Sequence, residues 1–360
     1  MKLSERLLKF ILKNKSVVKT DLVKEPFKTV CFFSNTAIGD TLFSTPVFRV
    51  FKQHYPDVKT IALLNPKNAK LFENDPNLDE IVLYNGRWKS FLKIRNILKS
   101  KNIDIAFLLH SNEPQATPLA FLSGVKYIFK LPNDRNYFNF LNSNKPTPYP
   151  ENTHVVLSRL QQLEFIGIKS TDTRMQLFLN ENDRNIARTI LKRKHGQKII
   201  GFQICASTNS RMWTIERWCE LANLILKNNN TRIVLTGSPQ EKVLTNILEE
   251  KINNNRVLNI AGKFNLSEAA AIIGELDALV TLDTGPLHIA AALRTPIIAL
   301  FGVTNPYLLM PNFDTDLHKF IKVDFIADET YSKHKDYSYL MEKITANNVY
   351  IKLQEVINAL

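Results

Sequence analysis

Four short stretches place polar, chemistry-bearing side chains directly after apolar, β-rich runs. In the first, "KTVCFF" (28–33) leads through "SNTAIGD" to Gly39 and Asp40. A carboxylate there can take a proton from a substrate hydroxyl, or can cap the helix that follows. In the second, "QICASTNSRMWTIERW" (203–218), the hydroxyls of Ser207, Thr208 and Ser210 precede the cation Arg211. That set can seat a diphosphate or close a capped surface loop. In the third, "TGSPQEK" (236–242), Glu241 follows another apolar run. It can accept from a ribose hydroxyl, or complement a helix dipole. The fourth is "VTLDTGPLHIAAALRTPIIALFG" (280–302). Asp283, Thr284 and Gly285 end a strand, Pro286 opens a helix and His288 lies in its first turn. Gly285 lets a ligand phosphate approach the backbone. His288 either adds charge to that seat or is a structural histidine. No G-x-G-x-x-G fingerprint and no P-loop is present.

Side chains of this kind act where a strand hands over to a helix, so the elements come next. In open α/β sheets ligands collect beyond the carboxyl ends of the strands, and helix N-termini there favour phosphate. The chain predicts strands at 28–33, 59–64, "EIVLYN", "IDIAFLLH" and "GVKYIFKLP". One helix is predicted over "TLFSTPVFRVFKQHY" and another over "RWKSFLKIRNILKSKN". This is the β-α-β rhythm of a parallel sheet. Residues 132–155, rich in Asn and Pro, read as loop. A domain boundary is expected near 165–180, after the helix "VVLSRLQQLEFIGI". A second series follows, with strands at 198–204, 231–237, "VLNIAG", 278–283 and 296–302, separated by helices. Two doubly wound halves are the economical architecture. The last segment, "NNVYIKLQEVINAL", is amphipathic through Val349, Leu353, Val356, Ile357 and Leu360.

The chain has 360 residues, 44% hydrophobic and 22% charged, a soluble globular balance. At roughly 150 residues per domain, two domains are expected. Cys31, Cys205 and Cys219 are far apart. They form neither a zinc pair nor a disulfide framework, which suits a reducing compartment. The net charge of +13 fits an anionic partner or a lysine-rich solvated surface. No nucleic-acid motif accompanies it. No run reaches the ~18–20 apolar residues of a membrane span. The start is not a signal peptide, because charge interrupts its apolar residues. It is instead a basic amphipathic helix. Leu3, Leu7, Leu8, Ile11 and Leu12 recur at helical spacing, with Lys2, Arg6, Lys9 and Lys13 beside them. Its apolar stripe packs on the body of the protein or lies on a membrane surface.

Taken together, "GDTLFSTPVFRVFKQHYP", "RMWTIERWCELANLI", "VLTGSPQE" and the block running from "NIAGKFNLSEAAAIIGELDALVTLDTG" through "PLHIAAALRTPIIALFG" resemble glycosyltransferase family 9. These are the ADP-heptose–lipopolysaccharide heptosyltransferases. The blocks lie in the family's order and span about residues 28–306. The resemblance implies an α/β protein of GT-B architecture, with two Rossmann-like domains facing across a cleft. Residues 26–170 would take the acceptor and 171–335 the nucleotide sugar. Residues 336–360 would pack back on the N-terminal domain. Residues 1–25 form a basic segment outside the family pattern. The resemblance further implies inverting, metal-free transfer from ADP-heptose, with no cofactor, to an acidic phosphorylated glycolipid of the lipopolysaccharide inner core. The setting is the cytoplasm, with contact to the anionic inner membrane. Asp40 matches the family's general base. Arg211, Ser207, Thr208, the N–H groups of Thr284 and Gly285, and His288 match positions that stabilise the departing diphosphate. Arg211 stands where family members often carry Lys, so a planar fork replaces a point charge. Glu241 matches a ribose position, Phe264 an adenine-flanking one and Asp283 a donor-sugar one. Alternatives are a relative that uses another nucleotide sugar or a protein acceptor, and a donor-binding protein without catalysis.

Overall fold

The computed structural model describes residues 3–131, 137–145, 152–324 and 337–358. They fall into two units, Met1–Phe178 and Leu179–Leu360.

The first unit holds a parallel five-stranded sheet of β1 (Thr29–Ser34), β2 (Lys59–Leu64), β3 (Glu80–Leu83), β4 (Ile105–Leu108) and β5 (Tyr127–Lys130), in the order β3-β2-β1-β4-β5. Every side chain of β1 is buried, as a parallel strand covered on both faces requires. Alternation sorts them. Cys31 and Phe33 join Ile61, Leu63, Ala106 and Leu108 in one core layer. Phe32 points the other way and meets Phe48 and Phe107 at ring distances of 5.1 and 5.8 Å. Burial pushes the Cys31 thiol far above its ordinary pKa, so it acts as a small apolar side chain.

The single helix expected over 41–55 is two, α2 (Ile38–Leu42) and α3 (Thr45–His54). Pro46 lacks the N–H that would bond the carbonyl of Leu42, and the Thr45 hydroxyl takes that carbonyl at 2.9 Å instead. The unit also holds α4 (Phe91–Lys99), α5 (Ala116–Leu122) and α6 (Val155–Leu160).

From residue 3 onward the N-terminal segment is tied to the first unit. Helix α1 (Leu3–Leu12) seats Leu8 and Leu12 on Phe138 and Leu141. Thr20 N–H donates to the Ser143 carbonyl at 3.0 Å, and Val23 N–H to that of Phe165 at 2.8 Å. Leu7, Phe10 and Ile11 stay exposed, Phe10 by 65%. The apolar stripe is therefore divided between the body of the protein and solvent. The segment expected as loop behaves similarly where it is described. Phe138 and Leu141 are buried, while 132–136 and 146–151 lie outside the described residues. Residues 171–178 belong to the first unit, tied by the Arg49–Asp172 ion pair at 2.7 Å. Gln176 N–H adds a bond to the Thr45 hydroxyl at 3.2 Å. The first unit thus extends through residue 178.

The second unit is a parallel six-stranded sheet, order β11-β10-β9-β6-β7-β8. Its strands are β6 (Lys198–Gln203), β7 (Thr231–Thr236), β8 (Val257–Asn259), β9 (Ala278–Leu282), β10 (Ile297–Phe301) and β11 (His318–Lys322). The helices are α7 (Glu181–Leu191), α8 (Ile215–Leu226), α9 (Lys242–Ile252), α10 (Leu266–Gly274), α11 (Gly285–Ala292), α12 (Pro306–Leu309), α13 (Ser338–Met341) and α14 (Ala346–Asn358). Local chemistry sets their starts. Asn265 and Glu268 form a reciprocal capping box on α10, and Thr214 caps α8.

The C-terminal helix departs from expectation. Val349, Leu353 and Val356 of α14 enter the core of the second unit with Trp218 and Leu221 of α8, so its apolar stripe is spent there. The Trp213 indole N–H fixes its approach by donating to the Ile344 carbonyl at 3.0 Å. Among the described residues no helix is long and apolar enough to cross a membrane.

Candidate active site

Each sheet has one place where the strand order reverses. In the first unit the chain runs outward from β1 through β2 to β3, then returns to the other side of β1 as β4. In the second it runs from β6 through β7 to β8, then returns beside β6 as β9. At such a point the two outgoing loops diverge and leave a crevice at the strands' carboxyl ends. Both clusters described below occupy these points.

In the first unit, β1 and β4 flank the crevice. Asp40 lies in the first turn of α2, whose N-cap is Ala37. The carboxylate bonds to side chains rather than capping. The Thr36 hydroxyl donates to Asp40 Oδ2 at 3.1 Å, and Thr36 Oγ1 lies 2.7 Å from His110 Nδ1. His110 follows β4, and its backbone N–H donates to the Phe33 carbonyl of β1 at 3.2 Å. Its Nδ1 stands 3.5 Å from Asp40 Oδ2.

Arg159 of α6 closes the opposite side. Its side chain is 3% exposed and Asp40 is 26% exposed. The guanidinium donates to the Asp40 carbonyl, to the Ser44 hydroxyl at 2.8 Å and to Asp40 Oδ1 at 3.4 Å. Behind His110, Lys130 pairs with Glu113 in a buried bridge. Desolvation of the imidazole lowers the His110 pKa. Arg159 and Lys130 push it the same way, and Asp40 opposes them. The balance favours the neutral imidazole, while Asp40 faces a hydroxyl, an imidazole and a guanidinium.

In the second unit, Arg211 bridges the two strands beside the crevice. It ends a short 3₁₀ turn, Asn209–Arg211, in the loop after β6. Its Nη1 donates to the Asp283 carbonyl at 2.8 Å and lies 3.3 Å from Asp283 Oδ2, just beyond β9. Nη2 donates to Ser207 Oγ at 2.8 Å, and Nε to Thr208 Oγ1 at 3.1 Å. The expected residues Ser207, Thr208, Arg211 and Asp283 are thus one hydrogen-bonded group. A point-charge lysine could not span it from a single nitrogen. Thr284 is the N-cap of α11 and Gly285 its first residue, so their N–H groups belong to a helix start that favours anions. His288 is buried in the first turn of α11.

Glu241 and Phe264 stand further along the sheet, after β7 and β8. Glu241 Oε2 accepts the Ser238 N–H at 2.6 Å in a capping box, so the dipole-partner role open from its sequence position is realised, with the second oxygen left over. Phe264 is half-buried ahead of the α10 cap. The two loops are laced together. Gly262, at φ +69°, puts its backbone where a Cβ would sit 2.8 Å from Pro239 Cα, and donates to the Gly237 carbonyl at 2.9 Å. Among the described residues, no three His, Cys, Asp or Glu side chains gather where a metal ion could be held.

Thr36, His110 and Arg159 were not anticipated. His110 had a signal, since it directly ends the apolar run "IDIAFLLH". Arg159, in an amphipathic helix, reads like any solvated arginine.

The family model described as glycosyltransferase family 9 (heptosyltransferase) matches residues 91–318. The chain is 27% identical over 305 residues to the lipopolysaccharide core heptosyltransferase OpsX of Haemophilus influenzae, covering 82% of this chain and 85% of that one. Its fold is similar to a family 9 glycosyltransferase from Veillonella parvula, with TM-score 0.80, 20% identity, and 95% and 100% of the two chains covered. It is similar also to the E. coli ADP-heptose lps heptosyltransferase II, with TM-score 0.77, 21% identity, and 92% and 99% covered. Two Rossmann-like parallel-sheet units of this kind make up the GT-B architecture. The chain belongs to glycosyltransferase family 9, the heptosyltransferases, and is a glycosyl-transferring enzyme.

Proposed function

We propose that this enzyme moves heptose from ADP-heptose to the inner core of lipopolysaccharide or lipooligosaccharide, with inversion and without a metal. The Arg211 group carries the reading. It is a cation held at the β6/β9 switch point by Ser207, Thr208 and Asp283, beside the start of α11. The names of the similar proteins, a core heptosyltransferase and an ADP-heptose enzyme, support the choice of donor and acceptor.

In the proposed step, Asp40 takes the proton of an acceptor hydroxyl while that oxygen bonds to the anomeric carbon. The bond from that carbon to the diphosphate breaks on the opposite face, and its electron pair leaves with ADP. Arg211 and the N–H groups of Thr284 and Gly285 stabilise the charge that develops there, with His288 beside them. Glu241, through its second oxygen, takes a ribose hydroxyl, Phe264 flanks adenine, and Asp283 both steadies Arg211 and reaches the sugar. The acidic acceptor fits the +13 charge. The exposed Leu7, Phe10 and Ile11 of α1, flanked by Arg6, Lys9 and Lys13, support peripheral docking on anionic membrane at the cytoplasmic face. Each such cation near an anionic surface contributes about 1 kcal/mol.

The test is a donor panel. ADP-heptose, ADP-glucose, UDP-glucose and GDP-mannose are offered with truncated lipooligosaccharide core, and nucleotide release and product mass are measured. ADP-heptose alone should give a heptosylated core, and the product's anomeric configuration decides inversion. Preference for another donor, or transfer to protein, overturns the assignment.

A further inference from the structure

Resting on Asp40 as the base, we propose that His110, acting through Thr36, is the positioning residue that holds the Asp40 carboxylate aimed and basic, and that protonating His110 switches the base off. The observation is a three-atom chain across the β1/β4 switch point. Thr36 Oγ1 sits 3.1 Å from Asp40 Oδ2 and 2.7 Å from His110 Nδ1. A hydroxyl has one proton to give and lone pairs to receive with. Thr36 gives its proton to the carboxylate, so the 2.7 Å contact has His110 Nδ1–H donating to Thr36. That assigns the neutral imidazole its tautomer and leaves the lone pair on Nε2.

Oδ2 is thereby committed. Among the described residues Oδ1 makes the long 3.4 Å contact with Arg159, and it is the oxygen placed to receive the acceptor's proton. Other charges facing His110 are Asp40 on α2, Arg159 on α6, and Lys130 of β5 with its partner Glu113. The two cations disfavour the imidazolium. Desolvation is the largest cause and acts in the same direction, Asp40 opposes it, and the balance lowers the His110 pKa and so favours the neutral form. Once protonated, His110 becomes a second cation 3.5 Å from Asp40 Oδ2. It stabilises the ionised carboxylate and so weakens it as a base. Activity must therefore fall as pH drops through the His110 pKa.

The experiment measures kcat and KM from pH 5 to 9 with ADP-heptose and truncated lipooligosaccharide core. Wild type should show an acid limb with its midpoint below ~6.5. His110→Gln and Thr36→Val should each lose about tenfold to a hundredfold in kcat at pH 7.5, the scale of a misplaced catalytic group. Both should leave the donor KM within about twofold, a change too small to count as a lost donor contact. His110→Gln should abolish the limb, and Thr36→Ser should restore the wild-type rate and profile. Asp40→Asn is measured beside them. If it stays active, the base assignment itself fails. If it is inactive while His110→Gln and Thr36→Val keep wild-type kcat and limb, only the positioning role is overturned. Should His110→Gln not fold, the contrast between Thr36→Val and Thr36→Ser decides alone.

Discussion

Replacing Arg211 with alanine removes one cation and leaves two consequences that can be measured apart. The first is on the fold. Asp283 is 7% exposed and Arg211 24% exposed, so the variant leaves a carboxylate without its ionic partner at a nearly closed strand end. Breaking a fully buried pair costs about 3–5 kcal/mol. The quarter exposure of Arg211 lets water replace part of the interaction, which lowers the expectation to about 2–3 kcal/mol. For a unit of this size each kcal/mol moves the melting temperature by ~2–4 °C, so a drop of about 4–12 °C is expected. The second consequence is on the ligand. A charge-assisted hydrogen bond contributes about 1.5–3 kcal/mol, so ADP should bind roughly 10- to 150-fold more weakly by calorimetry. Arg211→Ala with Asp283→Asn recovers melting temperature, because no charge is left stranded, but does not recover ADP affinity. Arg211→Lys keeps the charge and loses the fork, and should fall between. ADP binding within twofold of wild type in Arg211→Ala would refute the diphosphate role. An unchanged melting temperature would refute the burial argument.

Asp40→Asn should cut turnover by ~10²–10⁴-fold and leave ADP affinity nearly unchanged. A rate above half of wild type would reduce Asp40 to a structural side chain. Added EDTA should leave transfer intact, and loss of activity restored by magnesium would end the metal-free reading. On α1 the two faces should separate. Phe10→Glu and Leu7→Glu should reduce sedimentation with anionic vesicles, most at low salt, without changing the melting temperature. Leu12→Ala should do the reverse, at a cost of about 2–5 kcal/mol. Unaltered vesicle binding in Phe10→Glu would mean that the exposed face has no membrane role.

What the sequence made legible follows from how local each signal is. Strand β1 is six consecutive buried residues, and a run of that kind announces itself. Strand β11, "HKFIK", does not. It is an edge strand beside β10 with only His318 fully buried, and its lysines read as loop. The break between α2 and α3 was visible as Pro46, yet the hydrophobic period ran through it. The stripe on α14 was legible, but a stripe does not name its partner, and the partner is α8. For α1 the period merged two faces that only the packing of Leu8 and Leu12 separates.

The candidate site divides along the same line. Asp40, Arg211 and Asp283 each end or follow an apolar run, and the rule that ligands gather beyond strand ends needs nothing more to single them out. Their partners belong to strands distant in sequence. Thr36 and His110 are 74 residues apart, and Arg211 and Asp283 are 72 apart. In both cases the first residue follows the strand that opens a sheet, and the second follows the strand that returns beside it after the chain has built one flank. The strand order alone creates that adjacency. The same topology thus places a carboxylate with an imidazole in one unit and a guanidinium with a carboxylate in the other, so that Asp40 and Arg211 each take a second strand to hold them. A protein that kept every strand but reversed the return of β4 or β9 would retain all the motifs and lose both pairs.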